Sequence, residues 1–402
     1  MAALTAPAHD GLRNMKLLFV FGTRPEAIKL APVFLELSGR PNFDCKICVT
    51  GQHREMLAQV LELFELRPNW DLELMRPNQD LAYLTGAVLS GVGEVLDALR
   101  PDRVIVQGDT TTTFAGALAA FYHRIPVAHV EAGLRTDNIY SPWPEEVNRR
   151  LVTHIADLHF APTARARENL QREGIGCDRI FVTGNTGIDA LLRIAVLLDN
   201  RPDLRSRCAA VLPPHFAGRR MILMTGHRRE SFDGGIARVC RAMARIADRA
   251  DTAVVFPVHR NPSVRQAIEP LRRHPNVLLI EPVGYPELVF LLKRCHFVVT
   301  DSGGIQEEAP SFGKPVLVTR ETTERPEAME LGLAALVGTD EELLFSEMTA
   351  LLDDPAAYSR MGRVANPYGD GRASCRIALQ LMAEAGMPRS EAASQPTTTE
   401  AR

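Results

Sequence analysis

From Lys16 onward, short apolar runs rich in β-branched residues alternate with longer segments in which apolar residues recur at helical spacing. That alternation predicts a parallel sheet built from βαβ units, because strands covered on both faces by crossover helices need no polar face of their own. The first series predicts strands at Leu17 to Phe21, Lys46 to Val49, Val104 to Val106, Val127 to Val130 and Ile180 to Val182. Helices are predicted between them, as at Glu26 to Leu37 and Leu81 to Leu99. The segment Arg201 to Arg220, with three prolines, one glycine and five arginines around a weak helical pattern, interrupts the series, and the domain linkage is placed there or slightly before. A second series follows, with strands at Met221 to Met224, Ala253 to Phe256, Val277 to Ile280, Phe297 to Val299 and Pro315 to Val318. The last periodic stretch is Ala373 to Ala385, and the Ser-, Thr-, Ala- and Glu-rich end is predicted to be disordered. The expectation is an α/β chain of two Rossmann-like halves.

Composition narrows the function classes. The 402 residues are 46% apolar and 24% charged, and 46 basic against 49 acidic side chains leave a formal charge of −3. No basic field is available to neutralise a nucleic-acid backbone, and no polybasic block to hold a membrane surface. The uncharged stretch Thr110 to Tyr122 opens with four threonines and falls short of a membrane span. The first fourteen residues lack the order of a secretory signal, so the chain is expected in the cytoplasm. Of seven scattered cysteines only Cys45 and Cys48 lie close together, and three residues apart on a strand they point to opposite faces. No metal site is expected from them.

Chemistry-bearing residues collect at predicted strand ends. Gly22-Thr23-Arg24-Pro25-Glu26 stands where the first strand meets its helix, with Lys29 one turn on; exposed amides, the helix dipole and Arg24 would suit an anion. The same segment also reads as a turn with surface cations. Asp301-Ser302-Gly303-Gly304 repeats the arrangement in the second series, with Glu308 four residues after Gly304, within reach of a ribose if phosphates occupied the amides. A tight turn is the plainer reading. Gly91-Val92-Gly93 lacks a third glycine and Gly313-Lys314 is followed by proline, which argues against the usual NAD and P-loop chemistries. Asp109, Glu131 and Glu145 lie at or beyond strand ends of the first half, and converging carboxylates shift one another's proton affinity so that acid and base can coexist. Asp109 before four threonines and Glu145 after Pro144 equally fit helix-start residues. His227, in Thr225-Gly226-His227-Arg228-Arg229-Glu230, is placed to face the first half, although a lone loop histidine is most often solvated.

With these residues in view the chain resembles the non-hydrolysing UDP-N-acetylglucosamine 2-epimerases of bacteria. The shared motifs are Gly22 to Lys29, Gly51-Gln52-His53-Arg54-Glu55-Met56, Gly108 to Thr112, Val130-Glu131-Ala132-Gly133-Leu134-Arg135, Ser141-Pro142-Trp143-Pro144-Glu145-Glu146, Thr225 to Ser231, Asp301 to Ala309 and Thr323-Glu324-Arg325-Pro326-Glu327. The resemblance implies the GT-B architecture: an N-terminal domain over 15–190 joined by the C-terminal helix 373–386, a UDP-binding domain over 191–372, and tails at 1–14 and 387–402. It also implies catalytic roles for Asp109, Glu131, Glu145, His227 and Lys29. Arg24, Lys29, Asp109, Glu131, His227, Ser302, Gly303, Gly304, Glu308 and Arg325 would bind the nucleotide sugar. Gln52, His53, Arg228 and His259 match residues of a second, activating UDP-GlcNAc site, while Asn78 stands where some activated members carry arginine. A homodimer and the absence of a cofactor are further implications.

The implied reaction is C2 epimerisation of UDP-GlcNAc to UDP-ManNAc, feeding surface polysaccharide synthesis. The C2 hydrogen is not next to a carbonyl, so it becomes acidic only as the bond from C1 to UDP loosens, and elimination to 2-acetamidoglucal needs no NAD. A GT-B glycosyltransferase, a hydrolysing relative and a non-catalytic UDP-sugar sensor stand as alternatives, since fold does not separate them.

Overall fold

The computed structural model describes residues 14–51, 54–76, 79–226, 234–259, 261–362 and 365–387. The first half runs β1 (Met15–Phe21), α1 (Arg24–Ser38), β2 (Phe43–Val49), α2 (Arg54–Leu63), β3 (Trp70–Asp71), α3 (Leu81–Leu99), β4 (Arg103–Gln107) and α4 (Thr111–Tyr122). It continues with β5 (Val127–Val130), α5 (Glu145–Ile155), β6 (Leu158–Ala161), α6 (Ala164–Arg172), β7 (Ile180–Val182), α7 (Thr186–Asn200) and α8 (Pro202–Ala209). The second half holds β8 (Arg220–Thr225), α9 (Gly235–Ala247), β9 (Thr252–Pro257), α10 (Pro262–Ala267), β10 (Val277–Ile280), α11 (Tyr285–Arg294), β11 (Phe297–Thr300) and α12 (Gly303–Glu308). After these come β12 (Val316–Val318), α13 (Pro326–Glu330), β13 (Ala334–Leu336), α14 (Glu341–Asp353), α15 (Pro355–Gly362) and α16 (Ala373–Glu384).

The strands form two sheets, ordered β3-β2-β1-β4-β5-β6-β7 and β10-β9-β8-β11-β12-β13, with parallel pairing throughout. In each sheet the strand order reverses once, between β1 and β4 and between β8 and β11. The connections leaving two adjacent strands there run to opposite faces, which opens a crevice at their carboxyl ends. Arg24 at the start of α1 and the loop residues Asp109, Gly226 and Ser302 directly follow β1, β4, β8 and β11, so the predicted site segments fall at the two switch points.

Every described strand of the sequence reading is present, and three went unread: the two-residue β3, the three-residue β13 and β6. All four residues of β6 are buried, yet its His159 breaks the apolar run. The segment Arg201 to Arg220, with its weak helical pattern, forms α8 and a 3-10 turn at Pro214–Phe216, with Cys208 and Phe216 buried. Cys45 packs with the core on one face of the first sheet and Cys48 with the core on the other, as period two requires. Helix α3 is long and apolar enough to span a membrane by composition; here Leu84, Val88, Val92, Val95 and Leu96 are buried in the core it shares with α4.

Helix α16 packs on α1 and α7, burying Ile377, Ala378, Leu381 and Met382. Its first turn is held by Asp189 of α7, whose carboxylate accepts from Ala373 N at 3.1 Å, Ser374 N at 2.8 Å and the Ser374 hydroxyl. Met387, expected to begin the disordered tail, is instead buried, its amide bonded to Met382 O. The tails 1–13 and 388–402 lie outside the described residues.

Candidate active site

Glu26 organises the first switch point. Its buried carboxylate accepts from the amides of Gly22 (3.0 Å) and Thr23 (2.7 Å), closing the turn into α1. The other oxygen accepts from the hydroxyls of Thr110 (2.6 Å) and Thr113 (3.0 Å), so one side chain ties the β1 loop to the β4 loop. Burial pushes this carboxyl above its usual range, against the pull of the hydroxyl and amide donors.

Thr110, rather than Asp109, caps α4, its hydroxyl accepting from Thr113 N. The Asp109 carboxylate turns instead to Arg149 of α5, and Asn148 donates to the Asp109 carbonyl at 3.0 Å. Glu145 opens α5 one turn before Arg149, so both share a helix face and the helix start is brought toward Asp109. Glu145 is thus a helix-start residue, the first of α5.

Glu131 follows β5 with φ of +64°, a left-handed conformation that costs a non-glycine residue about 1 kcal/mol or more. The turn is fixed by Gly133, also left-handed, where a Cβ would stand 2.2 Å from the Ala166 carbonyl of α6. Here Glu131 forms an ion pair with Lys29, and Asn185 Nδ2 donates to the same oxygen at 3.0 Å. Burial opposes both charges, but each partner more than offsets it: the Lys29 ammonium is held above its ordinary value and the Glu131 carboxyl below.

The second switch point faces this pair. Asn185 donates its other amide hydrogen to Glu307 of α12 at 2.8 Å, and Glu307 accepts from Arg325 Nε at 2.6 Å. Arg325 also pairs with Glu324, which accepts from Arg320 at 2.8 Å. The Arg325 guanidinium lies against the start of α12: a Cβ at Gly303 would meet its NH1 at 2.5 Å and Cζ at 2.6 Å, whereas one at Gly304 would meet open space. A side chain at 303 would therefore have to push the Arg325 guanidinium aside, while at 304 the backbone is left approachable. Glu308 accepts from the Tyr285 hydroxyl at 3.0 Å, and burial raises its carboxyl to about 7, with Arg24 close enough to pull it down.

The predicted residues Arg24, Lys29, Asp109, Glu131, Ser302, Gly303, Gly304, Glu308 and Arg325 therefore gather at the two facing switch points. His227 lies outside the described residues, as do Gln52, His53, Asn78 and Arg228. His259 is exposed beyond β9, its Nδ1 accepting from Asn261 N at 3.2 Å. The sequence reading missed Glu26, Arg149, Asn185 and Glu307. Glu26 and Glu307 stood inside quoted motifs, and Asn185 follows β7 as a helix cap; Arg149 was signalled only by its spacing from Glu145. Among the described residues no group of three His, Cys, Asp or Glu is arranged to hold a metal ion.

Comparison with known proteins assigns this arrangement. The family model of UDP-N-acetylglucosamine 2-epimerase matches residues 35–382. The chain belongs to that family. A UDP-N-acetylglucosamine 2-epimerase of Escherichia coli is 53% identical over 365 residues, covering 90% of this chain and 97% of its own. The crystal structure of UDP-GlcNAc 2-epimerase from Neisseria meningitidis bound to UDP-GlcNAc superposes with a TM-score of 0.87 at 48% identity, covering 92% of this chain and all of that one. The glycosyltransferase SnogD from Streptomyces nogalater, 17% identical with a TM-score of 0.56, shares the fold alone. The architecture is GT-B, two Rossmann-like sheets with their switch points toward each other.

Proposed function

We propose that this member of the 2-epimerase family interconverts UDP-GlcNAc and UDP-ManNAc without releasing free sugar, by eliminating UDP to 2-acetamidoglucal and adding it back. The observation that carries the reading is the placement of Asp109, Glu131 and the start of α5 at one switch point, opposite the Ser302-Gly303-Gly304 turn at the other. Carboxylates from separate strand ends and a helix reach a bound sugar from more than one side. Inversion at C2 requires this, since the proton leaves one face and returns to the other.

As the bond from C1 to the diphosphate oxygen breaks, positive charge grows at C1 and a carboxylate takes the C2 proton, leaving the double bond of the glycal. UDP leaves with the bonding pair. In the return step UDP oxygen attacks C1 while a carboxylic acid delivers a proton to C2 from the other face. Asp109, Glu131 and Glu145 share these transfers. The ionised Glu131, held so by Lys29, is suited to the base role. Arg24, His227 and the amides of Ser302, Gly303 and Gly304 take up the charge of the leaving diphosphate, Glu308 holds the ribose, and Arg325 braces the turn through its packing on Gly303. Because the donors come from both halves, closure over substrate assembles the site and excludes water from the glycal.

No cofactor enters this scheme. A second UDP-GlcNAc activating at Gln52, His53, Arg228 and His259, a homodimeric assembly, a cytoplasmic setting and a product used for surface polysaccharide belong to the same reading, as does the division of the chain at about residue 190. The test is proton NMR of UDP-GlcNAc with purified protein in deuterated water without NAD. UDP-ManNAc deuterated at C2, absent with Asp109→Asn, is the expected result. Free ManNAc would instead mark a hydrolysing enzyme, and unchanged substrate despite UDP binding a transferase or sensor.

A further inference from the structure

One side-chain amide bridges carboxylates of both halves at the site. Asn185, between β7 and α7, donates one hydrogen to Glu131 Oε2 and the other to Glu307 Oε2, at 3.0 and 2.8 Å. Its orientation is fixed, because Oδ1 accepts from Gly187 N at 2.9 Å and an amide flip would set two donors face to face. Its backbone is fixed as well: Asn185 N bonds to Tyr368 O at 2.6 Å, and the Tyr368 hydroxyl donates to Arg325 O at 3.0 Å. Tyr368 thus straps Asn185 and Arg325 from behind. Asn185 itself is 1% exposed.

Two buried carboxylates of different halves, Glu131 and Glu307, therefore share one amide group. Each keeps a cation of its own, Lys29 for Glu131 and Arg325 for Glu307. Around Glu131 the charged and titratable groups are Lys29 from α1, Glu307 from α12, Arg325 before α13 and His129 from β5. Asp109 follows Gly108, at which a Cβ would lie 3.9 Å from Glu131 Oε1. Nothing in proton transfer itself requires Asn185 or Glu307.

We infer that Asn185 and Glu307 are positioning residues, a two-armed clamp that aims the Glu131 carboxylate and couples its ionisation to the seating of the second half on the first. When the halves are together, Asn185 and the neighbouring Arg325 charge help Lys29 hold Glu131 ionised, while burial raises the Glu307 carboxyl against the pull of Arg325 and Lys29. If Arg325 and Glu307 move away, Glu131 loses the nearby Arg325 charge, and Asn185 loses the bond that its other amide hydrogen makes to Glu307. The carboxylate is then an efficient base only in the closed arrangement. This inference rests on the base role proposed for Glu131.

Asn185→Asp tests it while keeping the local turn, because an aspartate oxygen still caps Gly187 N, and only protein shown to be folded by circular dichroism is compared. The replacement turns the shared donor into a third acid between two carboxylates and raises the proton affinity of Glu131. Glu307→Gln acts in the opposite sense: it removes the neighbouring negative charge, leaves Lys29 and Arg325 acting on Glu131 alone, and lowers its proton affinity. The direct readout is carbon-13 NMR of glutamate-labelled protein, with the Glu131 carboxyl assigned by its disappearance in Glu131→Gln. It reports titration whether or not UDP-GlcNAc is turned over. A higher titration midpoint in Asn185→Asp and a lower one in Glu307→Gln are expected. In the NMR turnover assay Asn185→Asp should lower kcat about 10- to 100-fold, part of what a general base contributes, with KM little changed. Its acidic limb should move to higher pH. Unshifted Glu131 titration in both folded variants, or shifts of the same sign, overturns the inference. If wild-type protein leaves UDP-GlcNAc unchanged while the titrations shift oppositely, the family reaction fails for this chain and the clamp stands.

Discussion

His129 on β5 and Gly108, the residue after β4, are joined by a hydrogen bond of 2.7 Å between the imidazole Nε2 and the glycine carbonyl. Gly108 N returns a bond to Val130 O at 3.0 Å, so the strand ends bearing Asp109 and Glu131 are stitched twice. The ring is fully buried and neutral; burial lowers it to about 3, and the neighbouring His159, paired with it across β5 and β6, is lowered to about 4.

These two histidines predict acid lability. The unfolded chain takes up their protons below about pH 6.5, whereas the folded chain resists until near pH 4 or 3, so their contribution is complete above 6.5 and lost as pH falls through that window. Each histidine contributes a slope of at most about 1.4 kcal/mol per pH unit. Urea unfolding of wild type and His129→Gln at pH 7.5, 6 and 5 should show a shallower acid loss in the variant, whose amide still donates to Gly108. Equal slopes would remove His129 from the account.

Glu308 predicts the reverse trend. Its folded carboxyl sits at about 7 against an ordinary 4.5, so its preference for the protonated form stabilises the fold fully below 4.5 and is lost as pH rises through 7. Glu308→Gln keeps an acceptor for the Tyr285 hydroxyl and cannot ionise. Between pH 5 and pH 8 the melting temperature of wild type should fall relative to the variant, by the equivalent of about 3 kcal/mol at most. A constant difference across that range would contradict the burial argument.

Asp189→Ala removes the acceptor for three donors at the start of α16. Loss of such a cap costs about 1 to 2 kcal/mol. Limited proteolysis should cut after Arg372, exposed just ahead of the helix, faster than in wild type, with α16 released from α1 and α7. Unchanged cutting would mean that burial of Ile377 and Leu381 alone holds the helix.

Glu26→Ala leaves two amides and two hydroxyls at the first switch point short of an acceptor. A loss of about 2 to 4 kcal/mol in urea unfolding is expected, the range for breaking a buried network, with Glu26→Gln milder because one oxygen remains. If alanine costs no more than glutamine, the carboxylate is not what ties the β1 and β4 loops.

What the sequence by itself determined is local. Alternating runs named ten of the thirteen strands among the described residues, because burial on both sheet faces leaves its mark on neighbouring residues. It also put Arg24, Asp109, Glu131 and Ser302 at strand ends, and the number and order of the motifs were enough for the family. It failed where the local mark is weak: β3 and β13 are too short to show a period, and β6 hides a buried histidine. Only the tertiary structure decided who meets whom. Arg149 reaches Asp109 across 40 residues and Asn185 reaches Glu307 across 122. The first separation is closed by strand order within a sheet and the second by the seating of one half on the other; both are set by how the whole chain packs and leave no trace in any single segment.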